Sequence, residues 1–495
     1  MLQLLSNGFV NIMDPFVIAI MVLGTAAGVV VGALPGITGS MAIVLLLPMT
    51  FYLPPESGLI LLSTIFCGGM FGSSVSAILI NTPGSPSAAA TVLDGYPLCK
   101  QGKAGKAIGI ATVASFTGGL FSTICMILIA PQLARLALQF QAADFFSLSI
   151  FGLTIIASAS GKHVLKGLIS GVVGLLLTTV GVDVLVGFPR YTFGNYFLMG
   201  GFQMLPVLIG VFAFGHLFTE IGVPPDEVEL VQKVTGVIPN RDDLKAIALA
   251  VGVGCIIGIF IGIIPGTGGG LACWLAYNLM QKISRKGDKY GTGLLEGVAA
   301  PETANSATTG GCMIPMLCLG VPGDAHTAVM LGGLMLIGIR PGPLLFVESA
   351  HIVYAVFAAW IVIQFLVLGF GFFSARFAPY ILKLSPRIIL PVVAVLSFIG
   401  AYALSNSLFD VYVAIGCGVM GVFMRKYNYP VAPLILGIIL GPMAESNLNR
   451  AMLVSENNPM ILLQRPFSLG FLVLSAVSFL VPLVNTLLER RKKAA

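Results

Sequence analysis

Long apolar segments fill this chain and are separated by short polar turns. Many of them approach or exceed the roughly 20 residues that an α-helix needs to cross a bilayer. They are continuous rather than alternating with a period of two, which favours membrane helices over membrane strands. The apolar segments lie at about residues 16–33, 38–50, 58–80, 107–130, 145–157, 164–188, 197–219, 246–264, 269–280, 311–339, 346–373, 388–404, 408–424, 430–441 and 467–488. We therefore predict an all-α polytopic membrane protein with about 10–14 crossings.

Two pairs of Pro-Gly motifs interrupt these segments. GALPGITG at 32–39 is matched by GIIPGTGG at 262–269, and NTPGSP at 81–86 is matched by GVPGD at 320–324. Proline removes a backbone donor and clashes with the preceding turn, while the adjacent glycine permits a positive φ. Four broken helices in two matching pairs are the sequence pattern of a secondary transporter's binding site.

The loops after the first breaks carry different amounts of basic charge. Aligning Pro35 with Pro265 pairs residues 51–58, which contain no Lys or Arg, with residues 281–288, which contain three. Cytoplasmic loops accumulate Lys and Arg, so two repeats in the same orientation would keep the basic charge in equivalent loops.

The loops after the second breaks show the opposite bias. Aligning Pro83 with Pro322 pairs residues 100–106, which contain three lysines, with residues 339–345, which contain only Arg340. This exchange favours inverted-topology repeats with broken or re-entrant helices. The predicted divisions are a first repeat at 1–219, a polar connecting segment at 220–245, and a second repeat with C-terminal helices and a basic cytoplasmic tail at 246–495.

Composition excludes several other classes of protein. The chain is 57% hydrophobic and 9% charged, whereas a soluble domain is about 25% charged. A net charge of +6 fits basic cytoplasmic loops better than nucleic-acid binding. The eight cysteines form no Cys-x-x-Cys pair, and neither a Walker A motif nor HExxH occurs. We therefore predict no enzyme, no catalytic residue and no cofactor besides a coupling ion.

The breaks free backbone groups that lipid cannot satisfy, so these groups must face protein or a watery cavity. Helix N-termini favour anions, whereas carbonyl and hydroxyl oxygens suit Na⁺. Pro-Gly kinks also occur in membrane helices that bind nothing, but four paired breaks beside hydroxyl and amide side chains favour a site. The candidate substrate and ion ligands are Gly36, Thr38, Gly39, Ser40, Asn81, Thr82, Pro83, Gly84, Ser85, Gly266, Thr267, Gly268, Glu302, Asn305, Gly320, Pro322, Gly323 and Asp324. A Na⁺ ion is expected at Thr38, Asn81, Thr267 or Asn305.

Two of these candidates are carboxylates in apolar surroundings. Such a group is costly in a membrane and suggests an ion or proton role for Glu302 and Asp324. The alternative for Glu302 is a loop position, or a cap for a helix that begins nearby. Asp94, in the sequence DGYP, is interpreted as a turn residue, and His326 could border the site.

Several motifs together resemble the TctA family, the large membrane subunit of the tripartite tricarboxylate transporters. They are GALPGITG, FGSSVSAILINTPGSPSAAATVLDGYPL at 71–98 with its continuation QGKAGKAIG, GIIPGTGG, APETANSATTGG at 300–311 and LGVPGDAHTAVMLGGL at 319–334. The resemblance covers nearly the whole chain. It implies a small four-helix membrane subunit and a periplasmic substrate-binding protein as partners. It also implies uptake of citrate or other carboxylates across the bacterial inner membrane, driven by Na⁺ or protons.

The leading hypothesis is a multi-pass symporter that imports an organic carboxylate across the lipid bilayer with Na⁺ or H⁺. An elevator-like movement follows by analogy with other secondary transporters that use binding proteins. One alternative is a passive anion channel, which would carry flux without a cation gradient and without countertransport. The other is a membrane scaffold or membrane-embedded enzyme, which would neither bind nor move a carboxylate when its partners are present.

Overall fold

The computed structural model is almost entirely helical. It describes residues 1–34, 36–159, 164–183, 187–221, 234–382, 386–403 and 405–494, so Pro35 and residues 222–233 of the predicted connecting segment lie outside the described residues. The helices are α1 (Leu2–Ile12), α2 (Pro15–Ala33), α3 (Gly39–Leu46), α4 (Pro55–Ile80), α5 (Val92–Lys100), α6 (Ala104–Ala137), α7 (Ala142–Ala159), α8 (Val164–Thr178), α9 (Met204–Ile209), α10 (Gly215–Glu220), α11 (Arg241–Ile263), α12 (Gly268–Ile283), α13 (Leu295–Leu319), α14 (Ala325–Leu336), α15 (Leu345–Glu348), α16 (Ala350–Ile381), α17 (Pro386–Ala403), α18 (Leu408–Lys426), α19 (Val431–Val454), α20 (Ile461–Gln464) and α21 (Pro466–Ala494).

A few short elements complete the described chain. Strands β1 (Gly181–Val182) and β2 (Pro189–Arg190) pair antiparallel. The 3₁₀ segments are Leu47–Tyr52, Pro86–Ala88, Tyr196–Leu198 and Gly287–Lys289, and a π-helical turn at Gly210–Phe214 joins α9 to α10.

Helix length and hydropathy confirm the predicted fold class. Within the described residues, seven helices are long and apolar enough to cross a membrane, namely α2, α4, α6, α11, α16, α18 and α19. Seven further apolar helical segments of 10–17 residues accompany them, which is the length expected of half-helices and re-entrant arms. The chain is therefore an all-α polytopic membrane protein. The number of crossings stays a prediction.

The chain folds into two compact units, each built from two separate stretches. The first unit comprises Met1–Ala134 and Gly222–Leu396, and the second comprises Arg135–Ile221 and Ser397–Ala495. All four Pro-Gly breaks belong to the first unit. Each predicted repeat contributes its earlier part to the first unit and its later part to the second, while the predicted repeat bounds themselves stay a prediction.

Within the first unit, the two stretches follow the same succession of helices and breaks. Helices α2 and α11 both end in extended backbone, with ψ of 123° at Leu34 and 117° at Ile264. Helices α4 and α13 both end in a left-handed residue, with φ of 59° at Asn81 and 69° at Gly320. The repeated motifs therefore fold into repeated local structures.

Matched small residues bring the long helices of each stretch together. A Cβ on Gly72 of α4 would lie 3.0 Å from Cα of Gly32 in α2, and one on Gly311 of α13 would lie 2.9 Å from Cα of Gly262 in α11. The alignment of the Pro-Gly breaks makes these two contacts equivalent. Glycine at both places lets the helix backbones approach closely. Two further contacts match in the same way. The contact of Gly24 with Thr64 corresponds to that of Gly254 with Thr303, and the contact of Gly28 with Gly68 corresponds to that of Gly258 with Ala307.

The second unit has its own internal supports. Asp144 of α7 is fully buried, and its carboxylate accepts hydrogen bonds from Arg465 at 2.8 Å and from the backbone N–H of Ser468 at 3.0 Å. This ion pair fixes α7 against the beginning of α21. Arg190 of β2 pairs in the same way with Glu445 of α19.

Candidate functional site

The breaks of one stretch meet the breaks of the other. Gly39, at the first position of α3, faces His326 of α14, because a Cβ on this glycine would lie 3.0 Å from Nε2. Gly269, in the first turn of α12, faces Ser87, because its Cβ would lie 2.9 Å from the serine Cβ. The alignment of the repeats makes these two contacts equivalent. The four breaks therefore pair crosswise, as a pseudo-two-fold arrangement of two repeats requires.

The first contact forms what we call the histidine junction: Gly39, Phe66, Asp324 and His326. Nδ1 of His326 lies 2.9 Å from Oδ2 of Asp324, and the imidazole stacks on Phe66 with ring centroids 5.1 Å apart. The His326 side chain is 12% exposed, and its Nε2 is buried without a hydrogen-bond partner among the described residues. The carboxylate and the aromatic ring thus hold the imidazole with Nε2 directed at Gly39.

Asp324 also caps helix α14, which it directly precedes. Its Oδ1 accepts the backbone N–H of Thr327 at 2.8 Å, and the hydroxyl oxygen of Thr327 accepts the backbone N–H of Asp324 at 2.9 Å. This reciprocal capping box satisfies two N–H groups at the start of the helix. One carboxylate therefore both begins α14 and orients the imidazole two residues later.

The second contact forms the asparagine junction: Gly269, Ser85, Ser87 and Asn305. Asn305 is fully buried in α13 and donates from Nδ2 to the carbonyl of Met70 at 3.3 Å. Its Oδ1 has no hydrogen-bond partner among the described residues and lies 3.0 Å from where a Cβ on Gly269 would stand. The hydroxyl oxygens of Ser85 and Ser87 lie 2.7 Å apart. This junction therefore presents neutral oxygens.

Glycines connect the two junctions. A Cβ on Gly268 would lie 3.0 Å from Cβ of Asp324, which brings the first and second breaks of the later stretch together. Gly268 has φ of 60°, and Gly36 and Gly266 in the two first breaks have φ of 86° and 77°. A residue with a side chain is strained in this left-handed region. The tight turns of the breaks therefore depend on glycine.

A separate polar cluster surrounds Glu302, which is fully buried in α13. Oε2 accepts hydrogen bonds from the hydroxyls of Ser74 and of Ser115, the latter at 3.4 Å, and Oε1 accepts one from the hydroxyl of Thr91. Because α13 begins at Leu295, Glu302 is neither a loop residue nor a cap. The alternative interpretation of this residue was wrong, since the helix starts earlier than the sequence suggests.

Asp94 has an unexpected structural role. It is fully buried in α5 and accepts the backbone N–H groups of Gly291, Gly293 and Leu294 at 2.8–3.1 Å, together with the hydroxyl of Tyr277 at 2.9 Å. Its interpretation as a turn residue was wrong. The sequence DGYP forms part of helix α5, and the carboxylate of Asp94 binds the backbone of the loop that precedes α13.

Comparison with known proteins decides the family. The model of the tripartite tricarboxylate transporter TctA family matches residues 18–436. This chain belongs to the TctA family. It is 34% identical over 496 residues to the "Uncharacterized 52.8 kDa protein in TAR-I ttuC' 3'region" of Agrobacterium vitis, covering 100% of this chain and 99% of that protein. It is 30% identical over 234 residues to the "Uncharacterized protein in TAR-II ttuC' 3'region" of the same organism, covering 47% of this chain and 97% of that protein. No solved structure matches.

Membership in the TctA family confirms the resemblance drawn from the motifs. The chain is a component of a tripartite tricarboxylate transporter, and its many apolar helices make it a multi-pass membrane protein. Apart from Phe66 and Ser115, every residue of the two junctions and of the Glu302 hydroxyl cluster lies in one of the motifs that carried the resemblance.

The four predicted Na⁺ ligands occupy different environments in this TctA-family chain. Thr38 caps α3 by accepting the N–H of Met41 at 3.3 Å, and Thr267 donates its hydroxyl to two carbonyls at the end of α11 at 2.6 and 2.9 Å. Asn81 is exposed at the end of α4. Asn305 is the one among these four whose side-chain oxygen is both buried and unpartnered.

The other predicted site residues divide by whether they reach a junction. Those drawn into the junctions or between them are Gly39, Ser85, Gly268, Asn305 and Asp324. Those that line the breaks beside them are the partly or fully exposed Gly36, Thr82, Pro83 and Gly266 and the buried Ser40, Gly84, Gly320, Pro322 and Gly323. Their role as ligands stays a prediction.

Sequence reasoning undervalued His326 and missed the hydroxyl partners of Glu302. The alignment of Pro83 with Pro322 also pairs Ser87 with His326, so the repeat itself carried a signal for the histidine. The partners of Glu302 come from α4, α6 and the segment before α5, and no local pattern identifies them.

Proposed function

We propose that this TctA-family chain is the large membrane subunit of a secondary active importer of organic carboxylates, of the tricarboxylate or dicarboxylate class. A periplasmic substrate-binding protein delivers the substrate, a small four-helix membrane subunit accompanies the chain, and Na⁺ or H⁺ entry across the bacterial inner membrane drives uptake. The observation that carries this proposal is the crosswise pairing of the four breaks into two junctions with different chemistry.

The histidine junction suits a carboxylate. A neutral imidazole that donates from Nδ1 to Asp324 has a lone pair on Nε2, and a protonated imidazole donates from both nitrogens. Protonated His326 would direct a charge-assisted hydrogen bond at an anion beside Gly39. Gly39 is also the first residue of α3, and the partial positive charge of a helix N-terminus favours an anion. A protonated imidazole would supply the cationic donor that the breaks lack in Lys and Arg.

The asparagine junction suits a cation. Oδ1 of Asn305 is buried and unpartnered, and the hydroxyls of Ser85 and Ser87 add two neutral oxygens. Oxygens of this kind bind hard cations such as Na⁺ in transporter sites. Each monovalent cation that enters down a membrane potential of 100 mV contributes about 2.3 kcal/mol to uptake.

The placement of the breaks supports an elevator-like mechanism. All four lie in one compact unit, which also contains α2, α4, α11 and α13. A transport domain that moves as a body must hold the whole substrate site. The movement itself is proposed by analogy with other secondary transporters that use binding proteins.

Uptake by proteoliposomes tests this function. The chain is reconstituted with its cognate small membrane subunit and binding protein, and radiolabelled citrate and succinate serve as probes. We expect accumulation that requires an inward Na⁺ or H⁺ gradient, and countertransport when unlabelled substrate is inside. Flux that persists without a gradient and without countertransport would instead indicate a channel. Absence of any binding or movement would favour a scaffold.

A further inference from the structure

The carboxyl group of Glu302 is the centre of a buried cluster that neither junction uses. Its hydroxyl partners Ser74 on α4, Thr91 before α5 and Ser115 on α6 come from three elements, and the relative exposure of Glu302 is 0%. Four separate parts of the first unit thus converge on one carboxyl group.

The cluster contains no positive charge. Among the described residues no Lys, Arg or His forms an ion pair with Glu302. Cys273 on α12 faces it, and this thiol donates to the carbonyls of Pro86 and Gly270. Asp94 on α5 lies against the beginning of α13, and its carboxylate accepts hydrogen bonds from the backbone N–H groups of Gly293 and Leu294 in the neighbouring loop. An ionised Glu302 would therefore be a buried charge without a counter-ion, which is costly.

The hydroxyl partners make both protonation states possible. A hydroxyl can donate to a carboxylate and can equally accept from a protonated carboxylic acid. All three hydroxyls hydrogen-bond to the carboxyl oxygens directly. No group of three His, Cys, Asp or Glu side chains that could hold a metal occurs in the described part of the chain.

We propose that Glu302, with Ser74, Thr91 and Ser115, is the site at which this protein binds and releases its coupling proton. The carboxylate takes a proton from one side of the membrane, forming an O–H bond, and returns it to water on the other side. This inference rests on the proposed transport function and names the place of proton coupling, whether or not Na⁺ also binds at Asn305.

The cluster is connected to the asparagine junction by two short routes. Glu302 and Asn305 are three residues apart on α13, so they lie on the same face of the helix. Ser74 follows Ser73, whose hydroxyl accepts a hydrogen bond from Ser85 at 2.9 Å. A change in the charge of Glu302 therefore acts on two elements that form the junction, which gives the proton a physical connection to the site.

Transport by the Glu302→Gln variant tests the proposal. Glutamine keeps the size and polarity of the protonated acid but cannot release a proton. In proteoliposomes that contain the full chain and both partner proteins, we expect citrate and succinate exchange to persist. Accumulation driven by a pH gradient should fall to the level seen without the gradient. The matched control is Glu348→Gln, because Glu348 is exposed and its loss should change neither property.

A second measurement does not depend on transport. Infrared spectra of the full chain in liposomes, recorded as the pH is varied, should show the C=O stretch of a protonated carboxyl that disappears in Glu302→Gln. The Ser115→Ala variant, which removes one donor to the carboxylate, should move this titration to higher pH. If the native protein shows the band but moves no carboxylate, the proposed function fails while the proton site stands.

Two results would overturn the proton site itself. One is pH-driven accumulation by Glu302→Gln that equals the native level. The other is native transport without any infrared band that depends on Glu302. Glu302 would have a structural role if two results coincide: Glu302→Gln loses exchange as well as accumulation, and the native protein shows no infrared band that depends on Glu302.

Discussion

The histidine junction and the asparagine junction join equivalent positions of the two repeats but differ in side-chain chemistry. Where one places His326 the other places Ser87, and the same alignment pairs Phe66 with Asn305. One junction stacks an imidazole beside a carboxylate, whereas the other leaves an amide oxygen unpartnered. The difference teaches that equivalent positions of two repeats can carry different side-chain chemistry, which is why we propose an anion at one junction and a cation at the other.

Replacing His326 by serine, the residue of the other junction, should have the largest effect. It removes the one cationic donor that the histidine junction can offer. A hydrogen bond to a charged group contributes about 1.5–3 kcal/mol, so uptake efficiency should fall by up to roughly 100-fold. Initial rates of citrate and succinate uptake over a range of concentrations measure this loss. The exposed His351 provides the control variant His351→Ser. If His326→Ser takes up both probes as efficiently as the native protein, the carboxylate does not bind at this junction.

The equivalence of the two frames can be tested separately from their chemistry. Gly72→Ala and Gly311→Ala each place a Cβ against the backbone of the neighbouring helix. The nearest atom is the carbonyl oxygen of Val29 at 2.3 Å for Gly72 and Cα of Gly262 at 2.9 Å for Gly311. Overpacking of this kind costs about 1–3 kcal/mol. We expect both variants to lower the thermal unfolding temperature of the purified protein, Gly72→Ala by more because its Cβ meets the backbone at the shorter distance.

The control for this pair is Gly252→Ala on α11, where nothing lies within 4 Å of the added Cβ. Alanine in an open helical position should stabilise the protein by about 0.4–1 kcal/mol. A large loss in one half and none in the other would contradict the equivalence of the two helix pairs.

Asn305→Ala should affect the cation rather than the substrate. It removes the buried amide oxygen of the asparagine junction, and a loss of about 1.4 kcal/mol would raise the Na⁺ concentration needed for half-maximal uptake roughly tenfold. The exposed Asn81 and the internally bonded Thr267 provide comparison variants, Asn81→Ala and Thr267→Ala. We expect these to change Na⁺ activation less. If either changes it more than Asn305→Ala does, the cation lies elsewhere in the breaks.

The class of fold and the position of the breaks could be predicted from sequence because both depend on local pattern. Apolar runs and Pro-Gly pairs are visible without any knowledge of tertiary contacts, and equivalent motifs formed equivalent helix ends at Asn81 and Gly320. The partners of Glu302 and Asp94 could not be predicted. They lie about 200 residues away along the chain, and only the packing of helices from the two stretches brings them together.

The assembly of units was hidden for the same reason. Each unit joins stretches from both repeats, with the division of the first repeat near Ala134 and of the second near Leu396. These positions fall inside α6 and α17 rather than in polar linkers. A search for boundaries in composition therefore cannot find the two units.

Asp324→Asn should have the smallest effect and separates orientation from charge. Asparagine keeps an oxygen that can accept the N–H of Thr327, so the cap on α14 should survive. Its amide would donate to Nδ1 of His326, and the neutral imidazole would then carry its hydrogen on Nε2. The junction would keep a donor but lose the stabilisation of the imidazolium, so we expect uptake efficiency to fall by roughly threefold, or about 0.7 kcal/mol. A loss as large as that of His326→Ser would mean that Asp324 itself binds an ion beside Gly268, and the two junctions would then share one cation rather than divide anion from cation.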